Sequence, residues 1–309
     1  MRSFSIQMYP RKSDNMFDED SVKPHSHNLS SDELREIVEY AIHHANIKSS
    51  RVILDVSDDQ SSDMILIKKA GVELFKYFKK YVSDPAATAH QCYGRHYADV
   101  AKEQFRNRTL QKERMNSGWR YQYIAERAAQ KSLRFTSVSG IGTQEADFNV
   151  VLDYKERKGN LNIYVSVKNR VNTMGGQDWP KAISAMESIA IGDKNRTGDF
   201  LCVFGIAMDR GGRIIKKHGT TKQPFSNNTE IWKSDFFWPF FTNCSYHEIV
   251  KSVLTVLIET QKPETLDLPI PDALVDSFGD CCNKAELLDS EGRFNDPYKL
   301  VSLFCGGKS

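Results

Sequence analysis

Two alternating segments, residues 147–152 and 161–168, stand on either side of a polar stretch at 154–160, a pattern that predicts a β-hairpin. In the first segment Phe148, Val150 and Leu152 share one face, with Asp147, Asn149 and Val151 on the other. In the second, Ile163, Val165 and Val167 oppose Asn162, Tyr164, Ser166 and Lys168. A carboxylate opening one strand and a lysine near the end of the next therefore share the polar side of one hairpin. Helical spacing precedes it. A cap at Ser30 or Ser31 opens a helix to about residue 47, residues 51–56 read as a short strand or loop, and helices are expected over 62–81 and 95–115. Asn116, Ser117 and Gly118 predict a break, after which residues 119–132 form a further helix.

Beyond the hairpin, residues 172–178 read as a glycine-containing loop and 179–191 as a helix, with Pro180 in its first turn. Residues 200–208 are apolar throughout, as a buried central strand requires. A turn at 210–212 leads to a short return strand over 213–217. Residues 230–241 carry Trp232, Phe236, Phe237, Trp238, Phe240 and Phe241, a cluster suited to a core or a dimer interface rather than to base stacking. A helix over 245–260, a proline-containing linker over 263–271 and a few short helices complete the chain. The order helix, hairpin, helix, strand gives an α/β fold with a mixed β-sheet flanked by helices. The expected organisation is a mobile arm (1–28), a helical region (29–118), a core (119–262) and a C-terminal extension (263–309).

Composition narrows the function classes. The 309 residues suffice for a substantial core, and no apolar run approaches a membrane span. Six scattered cysteines form no paired CxxC units, which argues against a structural zinc site and fits reduced thiols in a cytoplasmic protein. His25, His27, His43 and His44 follow no metal-ligand spacing and read as surface histidines. A net charge of +2 is not that of a nonspecific DNA coater, yet a local basic cleft is enough to engage phosphates. Arg106, Arg108, Lys112 and Arg114 on one helix could line such a cleft, or form a solvated face.

The hairpin motif resembles the PD-(D/E)xK nuclease superfamily, and most closely its type II restriction endonucleases. Asp147 matches the first acidic position, Ala146 stands where proline is common, and Lys168 matches the lysine. Ser166 falls where the second acid usually lies, and serine is a poor ligand for a hard cation. Some members with serine there take a glutamate from the following helix, and Glu187 is this chain's counterpart. The resemblance covers roughly residues 119–210. It implies a restriction-endonuclease-like core. It also implies that Asp147 and Glu187 ligate Mg²⁺ with the Val167 carbonyl, and that Lys168 activates water and stabilises phosphate charge.

Several neighbours bear on that set. Glu187 borders the apolar stripe of Trp179, Ile183, Met186 and Ala190, from which it could reach a cleft or remain a rim residue. Asp178 is the rival acid or that helix's cap, and Glu145, on the same strand face two residues before Asp147, backs the metal ligands from behind or is merely exposed. Glu126 lies within the stripe of Trp119, Tyr123, Gln130 and Leu133, where an unpaired carboxylate is costly. Members of the superfamily often carry a glutamate on the helix before the hairpin. A pair with Arg127 or Lys131 is the alternative. Asn169, Arg170, Asn172, Gln177 and Lys181 are candidate DNA contacts, to phosphate or to base edges.

The expectation is a Mg²⁺-dependent type II restriction endonuclease that cuts double-stranded DNA at a specific sequence and leaves 5′-phosphate ends. A homodimer would match a palindromic site, and a cognate methyltransferase would act on the same sequence. The alternatives are a DNA-binding protein with a decayed nuclease site, which Ser166 favours, and a repair nuclease of the same superfamily.

Overall fold

The computed structural model describes residues 17–52, 64–82, 84–154, 160–171, 179–260 and 270–305. The chain divides into two compact units, Met1–Asn46 with Asn116–Lys262, and Ile47–Met115 with Pro263–Ser309. This grouping cuts across the four consecutive segments expected from sequence.

The first unit is an α/β fold built on one mixed sheet. Strands β1 (Ser137–Gly140), β2 (Phe148–Asp153) and β3 (Asn160–Lys168) form an antiparallel meander. Helix α5 (Trp179–Gly192) then leads to β4 (Asp199–Ile206), which runs parallel to β3. Strand β6 (Thr229–Lys233) continues the parallel half, and the two-residue β5 (Arg213–Ile214) closes the edge, giving the order β1-β2-β3-β4-β6-β5.

Burial explains the patterning. The α5 stripe of Trp179, Ile183, Met186 and Ala190 covers one face of the sheet, over Tyr164, Phe200, Cys202 and Phe204. The other face packs against α1 (Ser31–Val52), α4 (Tyr97–Lys131), α6 (Ser234–Thr242) and α7 (Tyr246–Thr260). Covered on both sides, all eight residues of β4 are buried. The aromatic cluster is core. Trp232, Phe237, Trp238, Phe240 and Phe241 are fully buried, with the Trp232 and Phe240 rings 4.6 Å apart and near edge-to-face.

Gly205 of β4 lies against this cluster. A Cβ there would stand 2.2 Å from the Phe237 ring, which is locked in a packed core. Gly205→Ala should therefore destabilise the protein by about 1–3 kcal/mol, read as a lower urea midpoint. An unchanged midpoint would contradict this packing.

Three local expectations are corrected. Helix α4 runs unbroken through Asn116-Ser117-Gly118. Tertiary bonds compensate the poor helix formers: the buried Asn116 Nδ2 donates to Asn46 Oδ1 at 3.1 Å, and Ser117 Oγ accepts from Asn169 Nδ2 at 3.3 Å. Residues 51–52 belong to α1 rather than to a strand or loop. The arm is docked from Phe17 onward: its ring is fully buried against Tyr154 at 5.5 Å, and its amide donates to the buried Glu230 Oε1 at 2.6 Å. Ser30 caps α1 in a capping box, with Glu33 N donating to Ser30 Oγ and Ser30 N to Glu33 Oε2. No described helix is long and apolar enough to cross a membrane.

The second unit is helical as far as it is described. Helices α2 (Met64–Lys80), α3 (Pro85–Cys92), α8 (Asp272–Lys284) and α9 (Pro297–Phe304) pack with the first turns of α4 around Leu74, Phe78, Phe278, Phe294 and Leu300. Gly71 allows α2 to approach α8 closely, since a Cβ there would meet the Leu274 carbonyl at 2.4 Å.

Candidate metal and phosphate site at the mouth of the hairpin

Asp147 sits one residue before the β2–β3 ladder begins at Phe148 and Val165. Its amide donates to the Val165 carbonyl at 2.8 Å, and its carbonyl accepts from the amides of Ile141 and Gly142 at 2.8 and 3.1 Å. The turn before it is fixed locally. Thr143 Oγ1 accepts from the Ala146 amide at 3.1 Å, and the Thr143 amide returns a bond to the Ala146 carbonyl. The Asp147 carboxylate is aimed across the mouth of the hairpin, where Oδ2 accepts from the Val167 amide at 2.6 Å. Backbone thus holds this half-buried acid in place beside β3.

Glu126 approaches from α4. A Cβ on Gly140 would stand 2.9 Å from Glu126 Oε1, so the carboxylate lies over the bare end of β1. Burial raises the Glu126 pKa, Arg127 lowers it, and the negative charge of Asp147 raises it further. The two acids are therefore close enough to repel each other, and a cation between them would relieve that repulsion. Gly140→Ala should leave the fold intact but push the flexible carboxylate aside. The expected readout is weaker divalent-cation binding at an unchanged unfolding midpoint, whereas unchanged affinity would place Glu126 outside the site.

Lys168 is the last residue of β3, half-buried, and adjoins the Val167 amide that holds Asp147. Its backbone is anchored by the Ala207 amide, which donates to the Lys168 carbonyl at 2.8 Å. Asn169 is half-buried behind it and bonded to Ser117, and Arg170 is exposed and paired with Asp209 at 3.2 Å. Lys181 is exposed on α5, and Glu145 is half-buried in the turn before Asp147. Asn172, Gln177 and Asp178 lie outside the described residues.

Glu187 is not brought to Asp147. Its Oε1 accepts from Thr229 Oγ1 at 2.7 Å and from Ser226 Oγ, beside the start of β6. The Asp147 carboxylate is held at Val167 of β3 and that of Glu187 at Thr229 of β6; β4 lies between these strands, and Thr229 stands in line with Tyr164, three residues before Val167. The expectation that Glu187 supplies the missing ligand is corrected on this ground. Ser166 is fully buried on the α5 side, opposite Phe204, and its hydroxyl has no hydrogen-bond partner among the described residues. An acid at that position would be enclosed in the α5 core, where an unpaired charge is expensive.

No protein-family model matches the chain, and no curated protein sequence is significantly similar to it. The chemistry therefore has to be argued from the site itself. Among the described residues no group of three or more His, Cys, Asp and Glu converges. Glu126 and Asp147 are near enough for the charge of one to raise the pKa of the other, which makes them the acids to weigh for a hard cation. Mg²⁺ is typically held by one or two carboxylates with water and substrate phosphate completing its shell. Asp147 and Glu126, with the Val167 carbonyl, are the residues that would hold it.

Sequence reasoning named both acids but missed Gly140, whose missing side chain makes room for Glu126. The run Gly140-Ile141-Gly142-Thr143 carried the turn signal that could have marked it.

The raised Glu126 pKa fixes a pH dependence. Glu126 stays protonated in the folded chain where it would already have ionised unfolded, so stability should fall as pH rises from the ordinary carboxylate range through the raised value. Divalent-cation affinity should rise over the same window, because the ligand is the ionised form. Calorimetric titration at several pH values should show both trends flattened in Glu126→Gln. A native affinity independent of pH would contradict this assignment.

Proposed function

We propose that this chain is a Mg²⁺-dependent endonuclease of the PD-(D/E)xK type acting on double-stranded DNA, in the manner of a type II restriction enzyme. The observation that carries the reading is the Asp147 carboxylate held at the Val167 amide at the mouth of the β2–β3 hairpin, within electrostatic reach of Glu126, with Lys168 ending the second strand. The element order supports it: a helix, a three-stranded antiparallel meander, a crossover helix and a parallel fourth strand, with the acids and lysine at one end of the central strands.

Bound Mg²⁺ supplies a Lewis acid for a phosphate oxygen and lowers the pKa of an attacking water. Asp147, fixed by the Val167 amide, would hold such a cation through its remaining carboxylate oxygen. Glu126 provides a second carboxylate from a different element. Lys168 places a positive charge where the phosphate gains negative charge in the transition state. Arg170 and Asn169 extend this end of β3 with groups suited to DNA contact, Arg170 by exchanging Asp209 for phosphate. A homodimer would double the site for cutting both strands at a palindrome, with a cognate methyltransferase protecting the host sequence.

One observation favours a second reading, a DNA-binding protein with a decayed nuclease site. Ser166 replaces the usual second acid, and Glu187 is engaged elsewhere. Incubation of the full chain with double-stranded DNA separates the two. Discrete, ligatable 5′-phosphate fragments that form with Mg²⁺ and vanish with EDTA support the nuclease. DNA that is retained but uncut with Mg²⁺ or Mn²⁺ supports the decayed site, and DNA neither bound nor cut overturns both.

A further inference from the structure

The second unit contains a cavity of about 470 Å³, within the roughly 300–1,000 Å³ of small-ligand clefts. Its floor is the buried ring of Phe78 with the buried Cys92 thiol. Beside Val82, Thr88 and Leu110, three kinds of side chain in the rest of the lining each have a distinct chemical use.

The first kind is aromatic. Tyr77 in the last turn of α2 and Tyr81, just past its end, place their rings 5.0 Å apart at 31°. The Arg108 guanidinium lies 5.5 Å over Tyr77 and braces it, while Tyr81 is 58% exposed at the edge of the cavity, with the exposed Lys80 ammonium 5.2 Å from its ring, which a stacking base would displace. The second kind is carboxamide. Gln104, Asn107 and Gln111 follow one stripe of α4 at helical spacing, and Gln91 joins them from α3. A carboxamide donates and accepts at once, which matches the mixed edge of a nucleobase. The third kind is cationic. Arg95 and Arg114 line the cavity against a single described carboxylate, Glu103, which is bonded to Arg95 at 2.8 Å. The lining therefore keeps a net positive charge.

A flat apolar ring, a mixed donor and acceptor edge and a negative charge are together the description of a nucleotide. We propose that this cavity binds a nucleotide, its base against Tyr81 and the carboxamide row and its phosphate toward Arg95 and Arg114. The same chemistry is presented by a free mononucleotide and by a nucleotide within a single strand. The proposal does not depend on the reading of Asp147 and Lys168.

The test uses the full chain and a base whose fluorescence is quenched on stacking. The probes are 2-aminopurine 5′-monophosphate and a single-stranded tetranucleotide carrying one 2-aminopurine. Saturable quenching is expected. Tyr81→Ala should weaken it about tenfold, as loss of one base–aromatic stack does, and Tyr81→Phe should retain it. Asn107→Ala should weaken binding severalfold at an unchanged unfolding midpoint. Equal affinity for the two probes would assign a free nucleotide, and a tetranucleotide preference of tenfold or more would assign a strand. Absence of quenching with both probes would overturn the proposal, as would quenching unchanged in Tyr81→Ala and Asn107→Ala. Ribose 5-phosphate competing as well as the mononucleotide would also overturn it, because the site would then read only the anion. Tetranucleotide binding lost in Lys168→Ala but not in Tyr81→Ala would place the strand elsewhere and count against the cavity.

Discussion

Asp147→Asn should lower single-turnover DNA cleavage by roughly 10³-fold while leaving DNA binding in place, because it removes the charge that a catalytic cation needs. The substitution is chosen for what it keeps. An asparagine carbonyl can still accept the Val167 amide bond that holds Asp147 Oδ2 at 2.6 Å, and the Asp147 backbone bonds to Ile141, Gly142 and Val165 are untouched. Folding should therefore survive, and the unfolding midpoint should move little. Removing one of two like charges should also ease the ionisation of Glu126, so any remaining cation binding should shift to lower pH. The check is a quenched-flow cleavage time course beside a Ca²⁺-supported DNA-binding titration. A rate within tenfold of the native chain would remove Asp147 from the chemistry.

Lys168→Ala should cost roughly 10²–10³-fold in the same assay, the size of losing one positioned group that stabilises developing negative charge. Residue 168 is held by the β3–β4 ladder opposite Ile206 and by the Ala207 amide, neither of which involves the ammonium group. The loss should therefore fall on the cleavage step rather than on folding or cation affinity. Lys168→Arg should recover part of the rate, since it keeps the charge but changes its position and donor geometry. Equal losses in cation affinity and in rate would instead make Lys168 a structural support for Asp147.

Strand β2 was legible because its burial has a period of two, whereas β3 is buried on both faces, so the side that reads as polar in its sequence (Asn162, Tyr164, Ser166) lies under α5. Phe148, Val150 and Leu152 are all fully buried, as their alternation required. The α5 stripe was legible for the same kind of reason, with Trp179, Ile183, Met186 and Ala190 all buried at helical spacing. Strand β1 was not foreseen, since Ser-Val-Ser-Gly has one apolar residue and takes its strand form from pairing with β2. The expected break at Asn116 failed because bonds to Asn46 and Asn169, distant in sequence, outweigh local propensity. Glu187 shows the limit most clearly. Its place at the border of a buried stripe was readable, but its distance from Asp147 depends on the lateral order of four strands, which no local pattern encodes. The carboxamide row on α4 was visible at positions 104, 107 and 111, interleaved with and followed by Arg106, Arg108, Lys112 and Arg114, of which Arg114 lines the cavity and Arg108 braces Tyr77.

The most direct measurement is cleavage of unmethylated phage DNA with Mg²⁺ by four forms side by side: native, Lys168→Ala, Glu126→Ala and Glu187→Ala. Discrete fragments from the native chain and from Glu187→Ala, lost in Lys168→Ala and Glu126→Ala, are the predicted result. An uncut substrate with the native chain, or fragments that survive Lys168→Ala and Glu126→Ala, would contradict a nuclease built on the Glu126–Asp147 pair.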